Sequence, residues 1–133
     1  MSSIRSSLLL RRALTADAVC SGTMGIAMLS FAAVLGRELE LPARLFAEAG
    51  IVLLPFAAFV AFLATRAQPA RFAVWTVIVL NLLWAVDSVL LLLTGWVAPN
   101  ALGYAFVIGQ AVVVLIFADL QYLGLRRSAA AAV

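Results

Sequence analysis

In a chain with no histidine and a single cysteine, proton transfer and ligand donation fall to carboxylates. Of the six Asp and Glu residues, Asp17, Glu48, Asp87 and Asp119 lie inside long apolar runs. The densest polar group is "NLLWAVDS", residues 81–88. Asn81, Trp84 and Ser88 stand at i, i+3 and i+7, one stripe of a helix, and Asp87 borders it three residues after Trp84. An acid in apolar surroundings can move a proton, hold a cationic substrate, or bond to a neighbouring helix. A haem, a zinc ion or an iron–sulfur cluster has no ordinary ligand set here, and a hard cation would need several acids to converge. A serine or Cys20 nucleophile would lack a histidine base, and no glycine-rich phosphate loop is present. The expectation is no enzyme, no cofactor and no metal, with Cys20 as a small apolar filler.

The elements that carry these residues follow from composition. The 133 residues are 66% hydrophobic and 11% charged, against about 45–50% and about 25% in soluble domains. So small a domain keeps much of its surface in solvent, so the solvent that fits this chain is lipid. Four runs reach the about 20 residues that a spanning helix needs: 13–35, 43–65, 72–94 and 101–123. They lack the alternation of barrel strands. The fold expected is all-α, a single membrane-embedded domain over 1–133, built as an up-down-up-down four-helix bundle whose short connections make consecutive helices antiparallel neighbours. The first run is read as an uncleaved span, because it lacks a clear small-x-small cleavage site.

All nine basic residues are arginine. Seven fall in the N-terminal arm, the 66–71 connection and the C-terminal tail, and two in the 36–44 loop. That bias places both termini of this multi-pass chain in the cytoplasm. Trp75 and Trp96, near opposite ends of the third span, suit the two interfaces. The basic residues form no face, so the net charge of +3 does not indicate a nucleic-acid partner.

By depth the polar groups form layers. Asp87 lies about 12 Å and Glu48 about 9 Å below the outer end of their spans. Asn81 and Gln110 fall near the midplane, and Asp17 and Asp119 near the cytoplasmic end. A charge at the bilayer centre costs about 2.5–3.5 kcal/mol on insertion scales, so these groups are expected to turn inward. Each also has a structural reading. Asp87 can fix helix packing through an interhelical bond. Glu48 can pair with Arg44 one turn earlier. Asn81 and Gln110 can join helices. Asp17, two residues after Thr15, can sit at a helix start and meet the positive dipole end. Asp119, near a helix C-terminus, should find Arg126, Arg127 or the N-terminal arm. Ala18–Gly22 and Ser21–Gly25 have the small-xxx-small spacing of close helix pairs. Pro55 frees the Ile51 carbonyl and predicts a kink or a cavity in the second span.

The strings "NLLW", "GWVAP", "LGYAFVIGQ" and "QYLGLRR", within residues 75–127, resemble those of a widespread family of small four-helix bacterial inner-membrane proteins that carry no assigned function. The middle, "LFAEAGIVLLPFAAFVAFLATR", also fits, and the first span matches in character. The resemblance implies fold and location. Small multidrug transporters are similar in architecture only; their membrane-embedded glutamate has no counterpart in the first span, which holds only Asp17 near its mouth.

Three functions suit such a bundle. The first is a structural or accessory subunit, associating with itself or with other membrane subunits in the bilayer. The second is a small proton-coupled transporter or channel using Glu48 and Asp87. The third is a lipid- or quinone-type binding bundle with a cavity lined by Trp84.

Overall fold

Ser7 sets where the first helix begins. Its hydroxyl oxygen accepts from the Leu10 backbone N–H at 3.1 Å, the bond that starts helices at serine. In the computed structural model, which describes residues 3–130, helix α1 therefore runs Leu8–Ser30. It starts five residues before the expected 13 and ends five before the expected 35. After a break at Phe31, the chain forms a short helix α2, Ala32–Leu39, closed by Glu40 in the left-handed region at φ 55°. The three long helices that follow are α3, Ala43–Thr65, α4, Arg71–Leu93, and α5, Ala101–Arg127. The last runs four residues beyond the expected 123, taking Arg126 and Arg127 into its final turn, where cations suit the dipole.

Four of these helices are long and apolar enough to cross a membrane, and only 22–33% of each most apolar window is buried. The remaining side chains point outward: Val19, Ile51, Leu83 and Leu102 are all exposed. A helix apolar on its outer face is solvated by acyl chains. The chain is a multi-pass, all-α membrane protein.

The long helices form a ring in chain order, α1–α3–α4–α5, with three closed sides and one open one. α1 packs along α3, α4 along α5, and α1 against α5. α3 and α4, though joined by only five residues, barely touch, so the expectation that every consecutive pair packs together fails at this seam. Glycines explain two of the closed sides. A Cβ on Gly50 would lie 2.8 Å from the Gly25 carbonyl oxygen, and one on Gly25 would lie 3.1 Å from the Leu53 Cβ. The small-residue spacing of α1 therefore serves its contact with α3. On the other side, a Cβ on Gly124 would lie 2.6 Å from both N and Cα of Leu10.

Two apolar cores result. One, at the end that carries the termini, joins Leu10, Leu14, Val60, Leu63, Val74 and Leu125. The other, at the far end, gathers Met28, Leu39, Phe46, Leu53 and Val107. Each end is sealed by polar backbone. At the terminal end, strands β1 (Ile4–Arg5) and β2 (Ala129–Ala130) pair antiparallel. The Ile4 N–H donates to the Pro69 carbonyl at 3.0 Å, and Ser7 Oγ donates to the Gly124 carbonyl at 2.8 Å. At the far end, Asn100 caps α5 by accepting from the Gly103 N–H at 2.8 Å, while its amide donates to the Glu38 carbonyl at 2.8 Å.

Gly124→Ala is expected to cost about 1–3 kcal/mol, because backbone atoms cannot move aside as a side chain can. Gly109→Ala, where nothing lies within 4 Å of the added carbon, should be neutral or stabilise by up to about 1 kcal/mol through helix propensity. Equilibrium unfolding in detergent micelles compares the two.

Candidate functional site

Asp17 stands tenth among the 23 residues of α1, near mid-height rather than at a helix start. The expected place at the positive end of the helix fails because Ser7 caps α1 ten residues earlier, and the carboxylate is carried into the bundle, 1% exposed. There it gathers three donors. Asn81 Nδ2 donates to Asp17 Oδ2 at 2.8 Å, and Gln121 Nε2 donates to the same oxygen at 2.7 Å. Ser21 Oγ, one turn along α1, donates to Asp17 Oδ1 at 2.9 Å. Asn81 Nδ2 also donates to Gln121 Oε1 at 3.0 Å. Asn81 and Gln121 are 3% and 0% exposed. One acid thereby ties α1, α4 and α5 together.

Asn81 was expected to share a mid-membrane layer with Gln110, but the two belong to different networks. Gln110 pairs instead with the stripe one turn further along α4. Trp84 Nε1 donates to Gln110 Oε1 at 2.8 Å, Gln110 Nε2 donates to Ser88 Oγ at 2.9 Å, and Ser88 Oγ donates to the Trp84 carbonyl at 2.7 Å. These bonds zip α4 to α5.

Asp87 does not turn inward: it is exposed, and both networks bypass it. At about 100° per residue, Asn81, Ser88 and Trp84 fall within one 60° arc, and Asp87 lies a further 60° beyond Trp84. Glu48 stays out of the interior as well. It accepts from Arg44 Nε at 2.7 Å on the exposed side of α3, as the local pairing predicts. Asp119 is exposed and, among the described residues, forms no ion pair with Arg126, Arg127 or the N-terminal arm. It sits instead beside Trp75 and Tyr122, whose rings lie 5.7 Å apart. The Arg126 guanidinium lies 5.8 Å from the Tyr122 ring centre, a cation–π contact at the terminal end.

Between the two networks and the far-end core the helices leave open, apolar concavities. A cavity of about 500 Å³ lies between α1 and α5, lined by Cys20, Met24, Leu53, Trp84, Gly109 and Phe117. Cys20 is thus an exposed cavity-wall residue rather than a core filler. On the α3–α4 side, Pro55, Phe56, Phe59, Leu80, Asn81 and Trp84 line a second space of about 370 Å³. Above it, Leu45, Ala49, Trp84, Asp87 and Leu91 line a third of about 290 Å³. Trp84 borders all three. α3 runs helical through Pro55, and the proline ring contributes to the wall of the seam. These concavities follow from the fastenings. Above Asp17, Gly25 and Gly50 draw α1 to α3, while Trp84 and Gln110 draw α5 to α4, so the two pairs part.

The residues that sequence reasoning missed are Gln121 and Gly50. Gln121 lies in "ADLQYLGLRR", where polar residues crowd toward a helix end and one glutamine does not stand out. Among the described residues no three His, Cys, Asp or Glu side chains converge as metal ligands do.

Fold and site together define a polytopic membrane bundle with laterally open, largely apolar concavities and a buried carboxylate lock. No family model, no curated protein and no solved structure matches the chain.

Asn81→Leu would leave Asp17 and Gln121 each short of a partner and is expected to cost about 1–3 kcal/mol. Asp17→Asn keeps every bond, since its carbonyl can accept from Asn81 and Gln121 while its amide donates to Ser21; the expected loss is under about 1 kcal/mol. Unfolding in detergent separates the two. An Asp17→Asn variant as damaged as Asn81→Leu would show that the charge itself is needed.

Proposed function

We propose that this protein is a binding bundle of the bacterial inner membrane, its termini cytoplasmic, which holds an apolar, lipid- or quinone-type molecule against Trp84. The observation that carries this reading is the set of apolar concavities that share Trp84 as a wall. Ligand sites are mostly apolar concavities of about 300–1,000 Å³ with a few fixed polar groups, and the cavity between α1 and α5 has about 500 Å³. Its walls are apolar apart from Ser21, Thr23, Trp84 and Gln110. Of these, Trp84 and Gln110 are rigidly positioned by bonds to each other and to Ser88. A wall made rigid before binding lowers the ordering cost of a flexible guest.

The open seam supports the same reading. A bundle acting purely as a packing subunit has no need of a gap between α3 and α4, whereas a guest dissolved in the bilayer needs a lateral way in.

Gly109 offers a test that spares the fold. Its Cβ position faces open space, so Gly109→Phe should fill the cavity from the wall without displacing backbone. The protein purified in gentle detergent should carry an apolar molecule detectable by native mass spectrometry. The variant should lose it by at least about tenfold, about 1.4 kcal/mol of affinity, with its unfolding midpoint unchanged. A native protein carrying nothing beyond detergent would refute the reading.

A further inference from the structure

The seam between α3 and α4 has a polar feature that the apolar cavity does not need. Asp87 stands exposed at its rim, with no hydrogen-bond or ion-pair partner among the described residues. Six residues separate it from the end of α4 at Leu93, so it lies about 9 Å inside the span. A carboxylate at that depth is costly unless it meets a donor or a cation.

None of the neighbouring elements supplies one. From α3 the seam receives Leu45, Phe46 and Ala49, from α5 Phe106, Val107 and Gln110, and from α1 Met28. Gln110 commits its amide to Ser88 and the Val107 carbonyl. The cation nearest along α3, Arg44, is bound to Glu48 at 2.7 Å, and Glu48 adds a second acid to the same helix end. The groove below Asp87 is apolar. A second apolar space, with Trp84 as the shared wall, lies beside Pro55, Phe56 and Leu80. From Leu91 to Leu80 the two together span eleven residues of α4, about 17 Å, close to half of the about 30 Å hydrocarbon core.

We propose that the α3–α4 seam binds a lipophilic primary amine, its ammonium group on Asp87 and its hydrocarbon chain laid along Trp84 toward Pro55. The proposal rests on the binding-bundle reading and adds to it a guest with a charged head group, held in the seam beside the cavity of α1 and α5. Charge complementarity selects the cation: an ammonium brings three donors to a carboxylate that has none. Depth selects against a phospholipid, whose phosphate would have to leave the interface and approach the carboxylate as a like charge. Groove length selects one chain reaching from one face of the membrane to its middle.

Trp84 is the reporter. In a Trp75→Phe, Trp96→Phe chain reconstituted in phosphatidylcholine vesicles, Trp84 is the one tryptophan left. A long-chain primary alkylamine brominated along the chain, and the alcohol of the same chain, are added at equal bilayer mole fraction. The amine should half-quench Trp84 at about tenfold lower mole fraction than the alcohol. Asp87→Asn should abolish that preference and leave quenching by the alcohol unchanged. Amine and alcohol quenching alike would overturn the head-group assignment while leaving the apolar site standing. No quenching by either would remove both. An Asp87→Asn variant whose native mass drops from dimer to monomer, with amine preference intact, would assign the carboxylate to a protein partner and overturn the proposal.

Discussion

The whole arrangement depends on a buried carboxylate that has no water to turn to. In hydrocarbon an unsatisfied polar group costs several kcal/mol, so Asp17 at mid-height must be met from within. Asn81 and Gln121 meet it from α4 and α5, and Ser21 from its own helix. The bond is directional where apolar packing is not. Leu or Val faces could slide past one another with little penalty between lipid-like surfaces, but three donors converging on one carboxylate fix the rotation and height of three helices together.

The openings follow from that fixed point. Toward the termini, Gly124 lets α5 approach the Leu10 backbone and the serines at 7 and 128 close the junction. Away from the termini, each helix pair is fastened by its own device, glycines for α1 with α3 and the Trp84–Gln110 bond for α4 with α5. Nothing comparable fastens α3 to α4, and the ring stays open there. The apolar concavities, the Asp87 carboxylate left without a partner among the described residues and the proposed lateral entry follow from where the fasteners lie.

Much of this was legible in the residues. Spanning length and apolarity mark all four long helices, and i, i+3, i+7 spacing assigns Asn81, Trp84 and Ser88 to one face. The Arg44–Glu48 pair is a local matter of one turn and was equally visible. The depth of Asp17 is not set by where the apolar run begins, because Ser7 starts the helix before it, across Arg11 and Arg12. That shift of five residues moves the acid from helix mouth to mid-height. The inward turn expected of Asp87 fails because a residue that borders the stripe, about 60° beyond Trp84, already faces out of the bundle. Gln121 and the open seam were beyond reach: the first needs the crossing of α1 and α5, and the second is set by which pairs have close-contact glycines or polar bonds facing one another. The charged segment "GRELELPAR" read as loop, yet its first half completes α2, because the helix resumes after Phe31 on the apolar residues ahead of it.

The most direct test of the lock is a double-mutant cycle on Asn81→Ala and Gln121→Ala, followed by unfolding in detergent. Two side chains that share Asp17 and also bond to each other should be coupled by about 1–2 kcal/mol, toward the upper end of interhelical bonds in membranes. A coupling of zero, with the two losses simply additive, would mean that the carboxylate does not join the three helices and that the account built on it is wrong.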